Sequence, residues 1–388
     1  MKALRRWFLY LSLSLGPIYW LPIVPISGMY LIKGAIACSF IAIVIISYRN
    51  IHRRDIMQLC VAAVLIACVS SIVHVDLFFL EIIPAIVLLL IGSNLHNVIP
   101  IDEMVSIINK AGIIFAGFCS LVVLDFLLGG IFVNPFYEQY SVYLYASGFT
   151  GGRTAWAYSS NLFLALLLQN SLRAKQQGKS KTAVSLVAAI VIIVNILIVG
   201  ARGGFIVAVI ISTIFLFLSL KKKSTQSVTL ITLLFCIPIG FYMVYDKLDS
   251  LRIFTTFLSA DTRNLHTAEI RGDLLELGFS SFIQAPLLGP GAMDIDVGAE
   301  NFEIHSVWFR FILERGVLFG LPLVLISFLI LWLSMLGGRR DKYNLVLILA
   351  AGVLTGLFEP KAIFGNYFAS QVFWLPVSYF LYPRRKFA

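Results

Sequence analysis

The feature that most constrains this chain is a series of apolar segments, each about 20 residues long, that recurs along almost its whole length. Charged residues make up only 13% of the sequence, and the mean hydropathy is +0.92. A water-soluble domain has about a quarter charged residues. So little charge cannot solvate 388 residues, whereas a bilayer accepts apolar helix surfaces. The sequence therefore predicts an all-α, polytopic membrane protein with one integral membrane domain over residues 1–388.

The apolar runs predict about 12 membrane-spanning helices. Pro17 and Pro22 interrupt the first of these, and proline lacks the amide that a continuous helix needs. The predicted spans are 7–24, 29–48, 56–74, 77–95, 105–128, 157–172, 181–199, 204–220, 226–245, 317–336, 343–358 and 366–382.

Clusters of lysine and arginine give the predicted orientation, because such clusters accumulate on the cytoplasmic side of a membrane. They occur at 2–6, 49–54, 173–181, 221–223, 339–342 and 384–386. With the predicted set of spans every cluster falls on one side, and removing any one span would distribute them over both sides. Both termini are therefore predicted to be cytoplasmic. The net charge of +10 reflects this topology and does not indicate nucleic-acid binding.

One predicted outer loop, residues 246–304, is long enough to form structure outside the membrane. It contains four Lys/Arg and ten Asp/Glu residues, so its net charge is −6. Glu269, Asp273 and Glu276 share one face of a predicted amphipathic helix within it. Arg271 lies almost opposite, on the apolar face. A charge there needs a partner, which is either an acidic side chain of the protein or an anionic ligand.

A glycine-rich outer turn, Gly200-Ala-Arg-Gly-Gly204, precedes the predicted eighth span. A helix N-terminus carries about half a positive charge and exposes backbone amides, which favours phosphate. Arg202 adds a planar fork of donors that suits phosphate oxygens. The alternative interpretation is an interfacial arginine that meets lipid headgroups. Arg153, beside glycines in the other long outer loop, 129–156, is a further outer arginine.

The stretch from His305 to Glu314 predicts an amphipathic helix that enters the membrane at its outer face. Ser306 is expected to cap its N-terminus, and Arg310 has the spacing to pair with Glu314. His305 is either a structural residue or a group that handles a proton.

Metal binding is not expected. The other histidines have no ligand spacing to His305, and the five cysteines all lie within apolar runs.

Three stretches in this order resemble the family of O-antigen ligases and Wzy-type O-antigen polymerases. They are GARGG, then RGDLLELGFSSFIQAPLLGPG, then HSVWFRFILERGVLFGL, and together they cover about residues 200–320. The resemblance implies a metal-independent, inverting glycosyltransferase that needs no cofactor. Such an enzyme would lie in the bacterial inner membrane, with its active site and the 246–304 loop facing the periplasm.

Members of this family transfer a glycan from an undecaprenyl-pyrophosphate donor to an acceptor hydroxyl, in lipopolysaccharide and other surface polysaccharide biosynthesis. The acceptor is the lipid A core for ligases and another lipid-linked glycan for polymerases. By position, the resemblance assigns Arg202 and Arg271 to the pyrophosphate and His305 to the acceptor. Further supporting residues are Arg153, Glu300, Glu303 and Arg310. Either His305 or one of the two nearby carboxylates, Glu300 and Glu303, is the expected base.

One departure from the family pattern and two alternative functions bear on this interpretation. The histidine is often followed by asparagine in the family, and Ser306 follows it here. A transporter or lipid-glycan flippase shares the polytopic, basic-inside pattern, although such proteins place polar residues near the membrane midplane. A non-catalytic subunit of a glycan-assembly complex is the third possibility. The sequence does not separate ligase from polymerase.

Overall fold

A computed structural model describes most of the chain. The described residues are 2–18, 20–22, 24–25, 28–29, 31–32, 34, 54–135, 143–150, 152–173, 178–220, 262–292, 295–297, 300–302, 304–340, 345–359, 363–364 and 370–381. The predicted ninth span (226–245) and nearly all of the second (29–48) lie outside them. So does Glu303.

Five helical segments among the described residues are long and apolar enough to cross a membrane, as expected of a helical membrane protein. They are Met57–His74, Ile101–Leu127, Ser180–Val199, Arg202–Leu220 and Val307–Gly338. Two shorter apolar helical segments, Phe79–Ser93 and Val346–Phe358, also coincide with predicted spans.

A stripe of exposed apolar side chains supports placement in lipid. Met57, Val61, Leu65 and Val69 are all exposed and are spaced by four residues along one helix. Side chains at this spacing lie on one helix face. A contiguous exposed apolar face is unfavourable in water but is the ordinary surface of a helix that contacts acyl chains.

The predicted first span, 7–24, is wrong as a single helix. The first helix, α1 (Lys2–Leu15), ends two residues before Pro17. Proline has no amide to donate, and its ring clashes with the preceding turn. The helix therefore ends just before Pro17.

The chain groups into two compact units. Unit one comprises the described residues within Met1–Ile45, Ile99–Ser259 and Val346–Ala351, and unit two comprises those within Ile46–Val98, Ala260–Leu345 and Gly352–Ala388. After α1, the helices of unit one are α4 (Ile101–Leu127), α5 (Leu144–Ser147), α6 (Arg153–Ser171), α7 (Lys179–Val199) and α8 (Arg202–Leu220). Those of unit two are α2 (Arg54–His74), α3 (Phe79–Val98), α9 (Thr262–Gln284), α10 (Val307–Arg315), α11 (Leu321–Arg340) and α13 (Ser370–Tyr379). The remaining helix, α12 (Val346–Phe358), has residues in both units.

Helix α6 forms the centre of unit one. Every residue from Trp156 to Ser171 is buried, and α4, α7 and α8 pack against it. Its polar side chains have partners within the unit. The Trp156 indole donates to Asn195 Oδ1 over 3.0 Å, and Asn195 Nδ2 donates to Ser160 Oγ over 3.2 Å. Burial among other helices explains how a helix with so many polar residues occupies a predicted span.

A single carboxylate organises the start of the predicted outer loop 129–156. Asp125 is completely buried at the end of α4. Its Oδ1 accepts the backbone amides of Ile131 and Phe132 over 2.8 and 3.0 Å, and its Oδ2 accepts that of Tyr145 over 3.0 Å. Burial raises the pKa of the Tyr145 phenol, and the nearby Tyr143 and Asp125 raise it further. The phenol is therefore neutral at physiological pH.

In unit two, α10 continues through a π-helical turn, Gly316–Gly320, into α11. The predicted amphipathic helix in the long loop is confirmed as α9. On α9, Asp273, Glu276 and Ser280 are exposed, whereas Leu274 and Gly278 are buried. The loop also contains a small antiparallel hairpin, β1 (Ile295–Val297) and β2 (Glu300–Phe302), which the sequence analysis did not predict.

Candidate functional site

His305 lies at the apex of a one-residue turn in unit two. Its side chain is partly exposed, whereas Ile304 and Ser306 on either side are buried. The Ser306 amide donates to Ile304 O over 2.8 Å, which is the i to i+2 bond of a γ-turn. Among the described non-glycine residues only Val75 has a positive φ, so this is the common inverse form.

Ser306 caps the helix that follows, as the sequence predicted. Its Oγ accepts the amide of Phe309 at the N-terminus of α10 over 3.4 Å. The same hydroxyl donates to the backbone oxygen of Gly356 over 3.2 Å. Two residues further along, the Trp308 indole donates to Val353 O over 3.1 Å. The residues next to His305 are therefore tied to the last turns of α12.

A buried ionic cluster lies at the other end of α10. The side chain of Arg310 is 4% exposed; it contacts the carboxylate of Glu81, and its Nε lies 3.8 Å from Glu314 Oε2. Arg315, equally buried, contacts the carboxylate of Asp76 and lies 4.0 Å from Glu314. The expected pairing of Arg310 with Glu314 is confirmed. The cluster thus contains two arginines and three carboxylates. Its ion pairs connect α10 to the start of α3 and to the segment before α3.

The sequence analysis missed Asp76 and Glu81. Asp76 lies in the short connection between α2 and α3, and Glu81 lies in the first turn of α3. Each precedes its arginine partner by more than 200 residues. The available signal was an acid in a very short predicted outer loop and a second acid near the start of the next predicted span, with two arginines in an amphipathic helix predicted at the same face.

The stretch 286–291 packs directly on the π-helical turn. Val317 and Leu318 donate their amides to Pro286 O and Leu287 O over 2.9 Å each, and Gly291 donates to Glu314 O over 3.0 Å. The approach is so close that a Cβ on Gly316 would lie 2.4 Å from Leu287 O. Gly316 also has a φ of +68°, which only glycine adopts without strain. This stretch thus joins the end of α9 to the end of α10.

His74 adds a further bond to this junction. Its Nε2 lies 3.2 Å from Gly289 O, and its Nδ1 lies 2.8 Å from Ser70 O in its own helix. The sequence offered no indication of this contact beyond the presence of a histidine at the end of a span.

Two other candidate residues, Arg271 for the pyrophosphate and Glu300 as a rival base, also lie in unit two. Arg271 belongs to α9, three residues before the buried Leu274 and seven before the buried Gly278. Helix α9 packs against α10. Glu300 lies in β2, where the backbone of Val297 is its strand partner.

Arg202 lies in unit one, at the first position of α8. Gly200, with a φ of +70°, ends α7, and the chain re-enters a helix two residues later. A Cβ on Gly204 would lie 2.5 Å from that of Ala157, so a glycine is needed where α8 crosses α6. Asn161 Nδ2 donates to Gly204 O over 2.9 Å and fixes this turn. The partly exposed Arg202 therefore sits on a rigid helix N-terminus.

The sequence analysis missed Asn161, a residue of α6 whose side chain binds this turn. It is completely buried, and its Oδ1 has no hydrogen-bond partner among the described residues. Arg153 is the first residue of α6 in the same unit and is partly exposed.

Arg202 and Arg153 thus belong to unit one, whereas Arg271, Glu300, His305 and Arg310 belong to unit two. Within the described residues, no three His, Cys, Asp or Glu side chains are grouped so that they can hold a metal ion. No protein-family model matches this chain, and no curated protein sequence matches it.

Proposed function

We propose that this protein is a membrane glycosyltransferase that moves a glycan from an undecaprenyl-pyrophosphate donor onto an acceptor hydroxyl at the outer, periplasmic face of the bacterial inner membrane. The observation that carries the proposal is the presentation of His305. A histidine at the apex of a turn, held by buried neighbours at the start of a long apolar helical segment, suits a group that works at a membrane surface.

The chemistry needs a base and a set of cations. A sugar hydroxyl is a poor nucleophile at neutral pH, and proton removal during attack accelerates such reactions by about 10²–10⁴-fold. Imidazole, with an unperturbed pKa near 6.5, suits this task. We assign His305 as the base, and Glu300 and Glu303 are the rival candidates.

Departure of the pyrophosphate builds negative charge on the leaving group. Cations that are already in place lower the barrier to that step. Arg202 at the N-terminus of α8 combines a guanidinium with exposed helix amides, and Arg271 lies on the helix that packs against α10. We assign both to the pyrophosphate, with Arg153 as a further outer cation. Arg310 supports the site through its ion pairs.

Contacts within each unit support the predicted orientation. In unit two, the side chains of Asp76 and Arg315 are in contact, and both residues are predicted to lie at the outer face of the membrane. In unit one, Arg173 Nη2 lies 3.3 Å from Asp102 Oδ1, and both are predicted to be cytoplasmic.

The test is transfer by purified protein in liposomes that contain a lipid-linked glycan donor and a fluorescent acceptor. Time-dependent appearance of glycosylated acceptor, with release of undecaprenyl pyrophosphate, is the expected result. Movement of intact lipid-linked glycan across the bilayer without a new glycosidic bond would instead identify a flippase. The lipopolysaccharide of a deletion strain separates the two acceptors. One repeat attached to core indicates a lost polymerase, and long chains left on the carrier lipid indicate a lost ligase.

A further inference from the structure

The γ-turn at His305 is closed by the bond from the Ser306 amide to Ile304 O. We propose that Ser306 and Trp308 are positioning residues that fix the His305 turn to the final turns of α12. This inference rests on the proposed function, because it assigns the two residues to the orientation of the base.

Ser306 uses both hydrogen-bonding capacities of its hydroxyl. A serine hydroxyl has one proton to donate and lone pairs to accept. Here it accepts the Phe309 amide and donates to Gly356 O. Gly356 lies in the last turn of α12, where backbone oxygens have no partner within the helix. One side chain therefore satisfies an open donor of α10 and an open acceptor of α12, directly beside His305.

Trp308 makes a second connection to the same helix. Its indole donates to Val353 O, and Gly356 allows the ring to approach. A Cβ on Gly356 would lie 2.6 Å from Trp308 Nε1 and 3.0 Å from a side-chain carbon of Val307. A residue 51 positions after His305 in the sequence thus controls how closely the His305 turn can sit against α12.

These contacts also predict that asparagine can replace serine at position 306. Both residues are favoured helix N-caps, and both can accept one hydrogen bond while donating another. Threonine retains the hydroxyl as well. Alanine retains neither capacity. The proposal therefore predicts a specific rescue series at one position.

The first experiment measures transfer from the lipid-linked donor by full-length Ser306→Ala, Ser306→Asn, Ser306→Thr and Trp308→Phe, each checked for normal membrane abundance. A catalytic group displaced by about 1 Å loses on the order of 100-fold in rate. We expect Ser306→Ala to lower kcat by roughly 10- to 100-fold with little change in KM, and the asparagine and threonine variants to recover most of it. Ser334→Ala is the matched control, because Ser334 is also buried and its hydroxyl donates to Ile330 O within its own helix.

The second experiment does not depend on activity. Diethyl pyrocarbonate acylates histidines, and mass spectrometry gives the rate at each site. We expect His305 to react faster in Ser306→Ala and in Trp308→Phe than in wild type, because the turn is released, whereas His74 keeps its rate. If wild type transfers no glycan, the proposed function fails and the labelling result alone decides the positioning. Unchanged His305 labelling in both variants, or a Ser306→Ala defect that neither asparagine nor threonine relieves, would overturn the inference.

Discussion

The ionic cluster of unit two makes the most quantitative prediction. Arg310→Leu removes a cation whose side chain is 4% exposed and leaves Glu81 and Glu314 without it. Glu314 also lies 4.0 Å from Arg315. Removing one partner of a buried pair typically costs about 3–5 kcal/mol, because the remaining charge stays desolvated. We therefore expect the free energy of unfolding to fall by that amount.

The complementary change should cost less. Glu81→Gln removes a carboxylate that is 26% exposed, and Arg310 retains Glu314 as a partner. A lost hydrogen bond to a charged group is worth about 1.5–3 kcal/mol. In the double variant the two losses overlap, so its cost should be smaller than the sum of the single costs by about 0.5–3 kcal/mol.

The assay is reversible unfolding in mixed micelles, with increasing dodecyl sulfate and circular dichroism as the readout. Asp102→Asn serves as the control, because Asp102 is 85% exposed and its pair with Arg173 should contribute less than about 1 kcal/mol. If Arg310→Leu is no more destabilising than the control, or if the double variant is strictly additive, the cluster does not hold α10 in place and this reasoning is refuted.

Three further predictions concern other parts of the protein. Asp125→Asn leaves at least one of three backbone amides without its acceptor and should lower the unfolding free energy by about 1–3 kcal/mol, with faster proteolysis after Leu128, whereas unchanged proteolysis would contradict its organising role. Gly316→Ala forces a Cβ against Leu287 O and should reduce membrane abundance, and a normal yield would contradict the close packing. Arg202→Lys and Arg271→Lys keep the charge but lose the planar fork, so each should lower turnover by roughly ten- to a hundredfold, and wild-type turnover would remove them from the pyrophosphate site.

The apolar runs predicted most of the described helices, because a run of about 20 apolar residues has few alternatives to a spanning helix. The same patterns predicted the Ser306 cap, the Arg310–Glu314 pair and the exposed acids of α9, which all depend on residues close in sequence. The prediction of one span over 7–24 failed because the length of the apolar run was given more weight than the helix-breaking Pro17 and Pro22 within it.

The partners that fix the candidate site were not predictable in this way. Glu81 and Asp76 reach arginines 229 and 239 residues away, and His74 reaches Gly289 over 215 residues. Spacing rules for helices carry no information about such pairs, since they depend on how separate helices pack. The need for a glycine at position 356 was equally unpredictable, because it arises from the close approach of Trp308 and Val307.

The most direct test of the central proposal replaces His305 by glutamine in protein that retains wild-type abundance. Glutamine can form a hydrogen bond but cannot take up a proton at neutral pH, so it separates a base from a structural residue. Transfer from the lipid-linked donor is measured across pH, with Ser280→Ala as an exposed control in the same unit. The proposal predicts a loss of about 10²–10⁴-fold for His305→Gln with donor binding retained. Near-wild-type transfer by His305→Gln would contradict it and move the base to Glu300 or Glu303.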